Sequence, residues 1–278
     1  MKTCRLFLVL LLLSMGTLEA QTPRPLETEL VESVGAGIIR AELGLEFLQD
    51  AEFPFSGLEG DLTRIGNLGF RLGAGNSIEL QAFWTTQNYL NVNRFNTSAP
   101  NYPNLDFSGN STSDFGDLVL GTKFRFRKES DRSPAMGFRV AVKLPNASTE
   151  KGLGTDETDV FGDLLLQKNF GGLTLAGNLG IAILGDPEVG GAQDDQLSWG
   201  AAGIYRLTDM FRVFADIHGR IGPEGFGTEE RVISKLGTQV KFAGVYWDVA
   251  FIGGLMETDP NTGISLGISK DFGATIFK

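Results

Sequence analysis

Between Asp114 and Pro145 the chain alternates twice between apolar and polar positions. On the first arm Leu118, Leu120, Thr122, Phe124 and Phe126 fall on one side, and Asp117, Lys123, Arg125 and Arg127 on the other. On the second arm Met136, Phe138, Val140, Val142 and Leu144 share a side, with Arg139 and Lys143 opposite. A period of two sustained over such a length predicts strands, because successive side chains leave opposite faces of a pleated chain. The stretch between the arms, residues 128–135, is polar and holds a proline that cannot continue a ladder. The two arms are therefore expected to form an antiparallel hairpin with one apolar and one charged face.

The same design recurs along the chain, and about twelve strands are expected. Ile39, Ala41, Leu43, Leu45 and Phe47 alternate with Arg40, Glu42 and Glu46. Leu62, Leu68, Phe70 and Leu72 form a second strand, with Arg64 as a charge on its apolar face. Ile78, Leu80, Ala82 and Trp84 oppose Glu79 and Gln81. Around residues 163–170 three consecutive leucines, Leu164 to Leu166, blur the pattern. Further on, Phe211, Val213, Ala215 and Ile217 oppose Arg212, Asp216, His218 and Arg220, and five more alternating runs, two before this strand and three after it, complete the set at Phe272.

Alternation alone does not say which face is inside. Long connections, residues 48–59 first and 88–113 and 146–158 among the others, alternate with tight turns such as Gly171-Gly172 and Ala243-Gly244. That asymmetry, an aromatic belt and the strand number together predict an all-β, antiparallel up-and-down transmembrane β-barrel with both termini at the short-turn, periplasmic end. The belt consists of Phe70, Phe126, Phe138, Tyr205, Phe211, Phe242, Trp247 and Phe272, all near the short turns on the apolar face. The polar face then lines the lumen, with Arg40, Glu42, Lys123, Arg125, Arg139, Lys143, Asp216, His218 and Arg220 as its selectivity-setting charges.

Residues 1–20 read as a secretory leader: Lys2 and Arg5, an apolar run from Leu6 to Met15, and a small residue, Ala20, before Gln21. Residues 21–35 read as a linker with one turn of helix or as a short plug, since Leu26, Leu30 and Val34 recur at spacing four. The barrel occupies 36–278. Without the leader's two bases and one acid, 22 basic and 33 acidic residues remain, a net charge of −11. An acidic chain without basic runs argues against nucleic acid as a partner. No cofactor is expected, and one histidine cannot make a multi-histidine metal site.

The runs GDLVLGTKFRF (116–126) and FRVAVKLP (138–145), the later AAGIYRLTDMFRVFADIHG hairpin and the closing GISLGISKDF resemble the bacterial barrels of the MetA-pathway of phenol degradation family. The resemblance spans Asp114 to Phe272. Asn146-Ala147-Ser148 stands where the family usually has a glycine soon after the proline, and six residues follow Phe272. The resemblance implies an outer-membrane transporter for small hydrophobic or aromatic compounds. Outer-membrane lipid, lipopolysaccharide and the barrel assembly machinery are then its partners. Acidic long loops, with Asp194-Asp195 and Glu229-Glu230 among them, offer hard oxygen ligands for cation bridges to lipopolysaccharide. Two other classes compete. Asp216 and His218 on one face near a barrel mouth suggest a hydrolase, if the imidazole reaches a carboxylate and a water. A structural or surface-binding barrel without transport is the other.

Overall fold

A computed structural model describes residues 24, 26–106, 109–188 and 192–273. The leader at 1–20 and the chain beyond Gly273 lie outside the described residues. Thirteen strands follow in order: β1 (Ile38–Phe53), β2 (Leu58–Gly73), β3 (Ile78–Phe95), β4 (Ser111–Asp114), β5 (Leu118–Arg127), β6 (Ala135–Leu144), β7 (Asp159–Phe170), β8 (Leu173–Gly185), β9 (Gln193–Arg206), β10 (Phe211–Ile221), β11 (Arg231–Phe242), β12 (Val245–Gly254) and β13 (Thr262–Gly273). Apart from β4 and β5, which do not pair with each other, sequence neighbours pair antiparallel, and β1 pairs with β13, so the sheet closes on itself. Strands β4 and β5 share one stave: β3 pairs with β4 through Asn88 to Asn91 and with β5 through Ile78 to Trp84. The wall is thus a closed barrel of twelve staves. No described helix is long and apolar enough to cross a membrane, which does not bear on crossing by strands.

The organising hairpin folds as its pattern requires. Leu120 and Val140 on its outer face are 44% and 43% exposed, whereas Lys123 on the inner face is 2% exposed. The apolar side chains of nearly every stave lie outward in this way, among them Leu43, Phe47, Ile181 and Phe251. An apolar surface of that extent is not stable against water and needs an apolar surrounding.

The second strand departs from simple alternation. Gly66 adopts φ 68°, and the β1–β2 register shifts by one between Gly44 and Leu45. A one-residue bulge exchanges the two faces of everything beyond it. Arg64 therefore points inward, 3.3 Å from Glu46, rather than lying on the apolar face as its spacing suggested. Leu62 turns inward with it and joins Leu48, Leu58, Leu90, Val92 and Ile252 in an apolar cluster at the long-loop end. The three-leucine run resolves just as locally: Leu165 is buried inside, and Leu164 and Leu166 face out. The first of the expected long connections is largely strand, because β1 and β2 extend to a four-residue turn at 54–57.

One seam in the wall is built differently. Between β4 and β5 the stave is interrupted at residues 115–117, and β4 has no ladder partner on the side of β6. Side chains span the gap: Asp117 Oδ1 accepts from the amides of Asn146 and Ala147, Asp114 Oδ2 from Ser148, and Asn146 Oδ1 from Leu118. The loop beyond Leu144 is further tied to the 96–110 loop through Asp106 and Asn101.

Leu120→Arg or Val140→Arg is expected to lower folding stability in lipid bilayers by about 2–4 kcal/mol, the cost of a cation facing lipid at mid-depth. Lys123→Leu should instead leave the lipid face untouched. Urea titrations in bilayers measure this, and equal tolerance of both outer-face arginines would contradict the observed facing.

Candidate functional site

The inside of the barrel is organised around residues 26–37. This segment is bent and irregular, and the helical turn suggested by its spacing does not form. Its amides lack a ladder, so each needs an acceptor from elsewhere. The wall supplies them from inward-facing polar side chains. Asp216 Oδ2 on β10 accepts from the amides of Glu27 and Thr28, at 3.1 and 3.0 Å. Asn178 on β8 accepts from the Glu29 amide at 2.7 Å and donates to its carbonyl at 2.9 Å. Gln167 on β7 accepts from Val31, and Glu79 on β3 from Val34. Gln239 on β11 donates to the Arg24 carbonyl. The apolar side chains find matching ground. Leu30 packs with Ala176, Ile204, Phe214 and Ala250, and Val31 with Ala135 and Leu165.

Charge is matched along with shape. The Glu29 carboxylate accepts from Arg71 at 2.9 Å on both oxygens and lies 3.4 Å from Lys123. Arg71 also reaches Glu42 at 3.2 Å and Glu79 at 3.3 Å, and Lys123 reaches Glu79 at 3.1 Å. A second cluster joins Lys235 to Glu27 at 2.6 Å and to Glu46 at 3.5 Å; Arg24 approaches the same Glu46 oxygen at 3.8 Å, and Arg64 the other at 3.3 Å. Burial works against the charge of Glu29. The cations Arg71, Lys123 and Arg139 around it nevertheless hold its carboxyl well below the usual carboxylate range.

Two cavities flank this segment. One, of about 310 Å³, lies against β1 to β3 and is lined by Arg64, Arg71, Phe83 and Val119. The other, of about 250 Å³, is lined by Phe161, Asp163, His218 and Arg220. Arg139, Glu27 and Glu29 border both. A third, of about 160 Å³, sits at the long-loop end between Phe55, Asp117, Lys143, Leu153 and Arg231. Loops narrow the barrel there. The Thr228 hydroxyl donates to Asp194 at 2.5 Å, and Gly227, at φ 89°, lies so near Thr155 and Pro187 that a Cβ would meet both at 2.9 Å.

The charges named from the sequence are spread along the lumen rather than gathered. Arg40 is buried near the short-turn end on Asp271, at 2.6 Å, and Arg125 donates to the Asn76 carbonyl at that rim. Glu42 and Lys123 belong to the Glu29 cluster. Arg139 pairs with Asp163 at 3.5 Å between the cavities, and Lys143 with Asp159 at 2.8 Å toward the long loops. Asp216 Oδ1 and His218 Nδ1 are 3.0 Å apart, but the other Asp216 oxygen is engaged by the two backbone amides. The hydroxyl of Ser198, beside them on β9, donates to Asp163 rather than to the imidazole. Of the aromatic belt, Phe70, Phe126, Phe138, Tyr205, Phe242, Trp247 and Phe272 are exposed on the outer wall and Phe211 is half-buried. Arg71 and Glu29, central to the site, were not singled out by spacing. Arg71 has the inward parity of its strand, but nothing in the sequence pairs it with a glutamate 42 positions earlier.

Among solved structures, the chain is similar to an outer membrane channel from Pseudomonas putida F1, at 16% identity and a TM-score of 0.62, over 90% of this chain and 100% of that one. It is also similar to the KdgM porin, at 9% identity and a TM-score of 0.52, over 84% of this chain and 99% of that one. No family model matches the chain, and no curated protein does. At such identities the likeness is one of fold.

Because the Glu29 carboxyl is held below its ordinary value, the docking it provides is complete above the usual carboxylate range and is lost only as pH falls through the depressed value. Cysteine accessibility at Val31 should therefore stay low from neutral pH down to about pH 4, near an ordinary glutamate value. Glu29→Gln should raise that accessibility already at neutral pH, since it leaves Arg71 and Lys123 short of a counter-charge.

Proposed function

We propose that this chain is an outer-membrane channel for passive passage of small, hydrophobic or aromatic solutes, with residues 24–37 as a plug that narrows its path. The observation that carries this reading is the division of the wall. Its outward side chains form an apolar band, and its inward ones form a charged lumen that holds two cavities beside the plug. A cavity of about 150 Å³ is enough for benzene, so each of the two is large enough for one small aromatic ring. Phe83 and Val119 in one, and Phe161 in the other, give such a ring apolar contact next to charged groups. In this reading the long loops face outside, and the short turns and both termini face the periplasm. Fold likeness to channels and porins supports passage, and the substrate class rests on the cavity linings and the motif resemblance. The hydrolase reading has less support, since Asp216 already serves the plug.

Cysteines at Asn110, Glu224 and Glu257 should label from outside intact cells, and those at Asn76, Ser130 and Thr208 should not; all six positions are exposed. The reverse pattern would invert the orientation.

In planar bilayers, deleting residues 24–36 should raise single-channel conductance several-fold over the wild type. Proteoliposomes carrying the wild type should take up phenols and aromatic acids faster than disaccharides. Conductance unchanged by the deletion would remove the plug from the path. Equal uptake across the panel would remove the substrate class.

A further inference from the structure

In the cavity between Phe161 and Arg220 every lining acid has a base of its own, and one base has no acid. Glu29 has Arg71 and Lys123, and Glu27 has Lys235. Asp163 has Arg139 at 3.5 Å and accepts from Ser198 at 2.7 Å. Arg220 is left over. Its Nε donates to the Glu229 carbonyl at 3.2 Å, and among the described residues its two terminal nitrogens have no hydrogen-bond partner and it is in no ion pair. The acids around it are engaged elsewhere: Asp159 with Lys143 at 2.8 Å, Glu229 with the Gly227 amide at 2.6 Å, and Asp259 with the amides of Val232 and Met256 at 2.9 and 3.1 Å. Arg231 stands directly opposite Arg220 on the neighbouring strand, where like charges repel.

The register makes room in front of this guanidinium. Arg220 on β10 lies opposite Ser198 on β9, Ser198 opposite Gly180 on β8, and Gly180 opposite Asp163 on β7. Phe161 is two residues along β7 from Asp163, on the same face, and opposite Ala182. Small side chains at 180, 182 and 198 thus separate a basic wall from an aromatic one, three ladders or about 14 Å away between backbones. The cavity of about 250 Å³ lies between them. The plug bounds it on the other side, since Asp216, four residues before Arg220, holds the amides of Glu27 and Thr28. Arg220 is therefore at the long-loop side of the cavity.

We propose that Arg220 is the recognition residue of a solute site whose ligand is a small aromatic monocarboxylate, held with its carboxylate on the guanidinium and its ring against Phe161. A planar fork with free terminal N–H groups is matched by a carboxylate, which accepts two parallel hydrogen bonds from it. One spare positive charge among paired acids calls for a monoanion, because a second negative charge would lie uncompensated in the same cavity as Asp163 and Glu29. The volume exceeds the about 150 Å³ that holds benzene. A phenol of the same size has no charge to offer Arg220 and is held less tightly. The bound acid also offsets the repulsion between Arg220 and Arg231. The proposal rests on the channel reading above for the arrival of the acid, and binding itself does not depend on passage.

The test is titration of the purified, folded barrel with 4-fluorobenzoate and with 4-fluorophenol, followed by fluorine NMR near neutral pH, where the carboxyl is charged and the phenol is not. The wild type should bind the benzoate at least about tenfold more tightly than the phenol, as a charge-assisted pair allows. Arg220→Gln should abolish that preference. Arg94→Gln, which removes an equal charge from an exposed pair with Glu59, should leave it unchanged. Equal affinity of the wild type for the two compounds overturns the proposal, as does a preference that survives Arg220→Gln or is lost equally in Arg94→Gln. If Arg220→Gln does not fold, modification of wild-type Arg220 by butanedione, read by mass spectrometry of its peptide, decides instead. Benzoate should slow that modification and phenol should not, and equal rates with both overturn the site. Uptake into proteoliposomes reports on the channel reading separately. Binding at Arg220 without uptake keeps the site and removes the channel, whereas uptake of phenol and benzoate without a binding preference keeps the channel and removes the site.

Discussion

Twelve residue pairs between β1 and β13, from Ile38 with Gly273 to Gln49 with Thr262, make the rest of the structure possible. A strand edge has no water to bond to in an apolar medium, so a sheet there must close or fail. Closure joins residues more than two hundred positions apart, and it fixes which side chains point in. Once the ladder closes, each outward position must be apolar, and each inward position shares a narrow space with eleven other staves. The charged interior is a consequence of that geometry as much as of any function.

The interior solves its electrostatics by sharing. Arg71 serves Glu29, Glu42 and Glu79, and Lys235 serves Glu27 and Glu46. Buried ion pairs of this kind are weak evidence for stability, because desolvation offsets much of their attraction. Their value is geometric. A bent backbone segment of a dozen residues has no fold of its own, and it takes one course through the lumen because acceptors on β3, β7, β8 and β10 stand where its amides need them. The same acceptors leave Asp216 with little freedom for acid–base work.

Most of the wall was legible in the sequence because alternation is a local property. The hairpin from Leu118 to Leu144 could be read from its own residues, and so could the outward course of Leu43, Leu45 and Phe47. Arg64 could not. Its facing depends on Gly66 taking a left-handed conformation, and a glycine in a strand does not announce whether it bulges. The lumen charges were legible as a set, but their partners were not, since Glu29 meets Arg71 and Lys123 only after the whole wall has closed. Gln167 and Asn178 were not singled out. Their use as backbone acceptors depends on the course of residues 26–37 through the lumen, where the spacing of Leu26, Leu30 and Val34 suggested a helical turn that does not form.

The seam between Asp114 and Ser148 gives the wall an uneven stiffness. Along the ladders an amide can meet solvent only if two strands part. At Asn146, Ala147 and Ser148 the acceptor is a carboxylate on a rotatable bond, and at Leu118 an amide side chain. A change of rotamer frees those amides without moving either strand, so hydrogen exchange there is governed by local opening rather than by global unfolding. This short stretch of the wall should lose its protons to deuterium first, while the barrel as a whole remains folded.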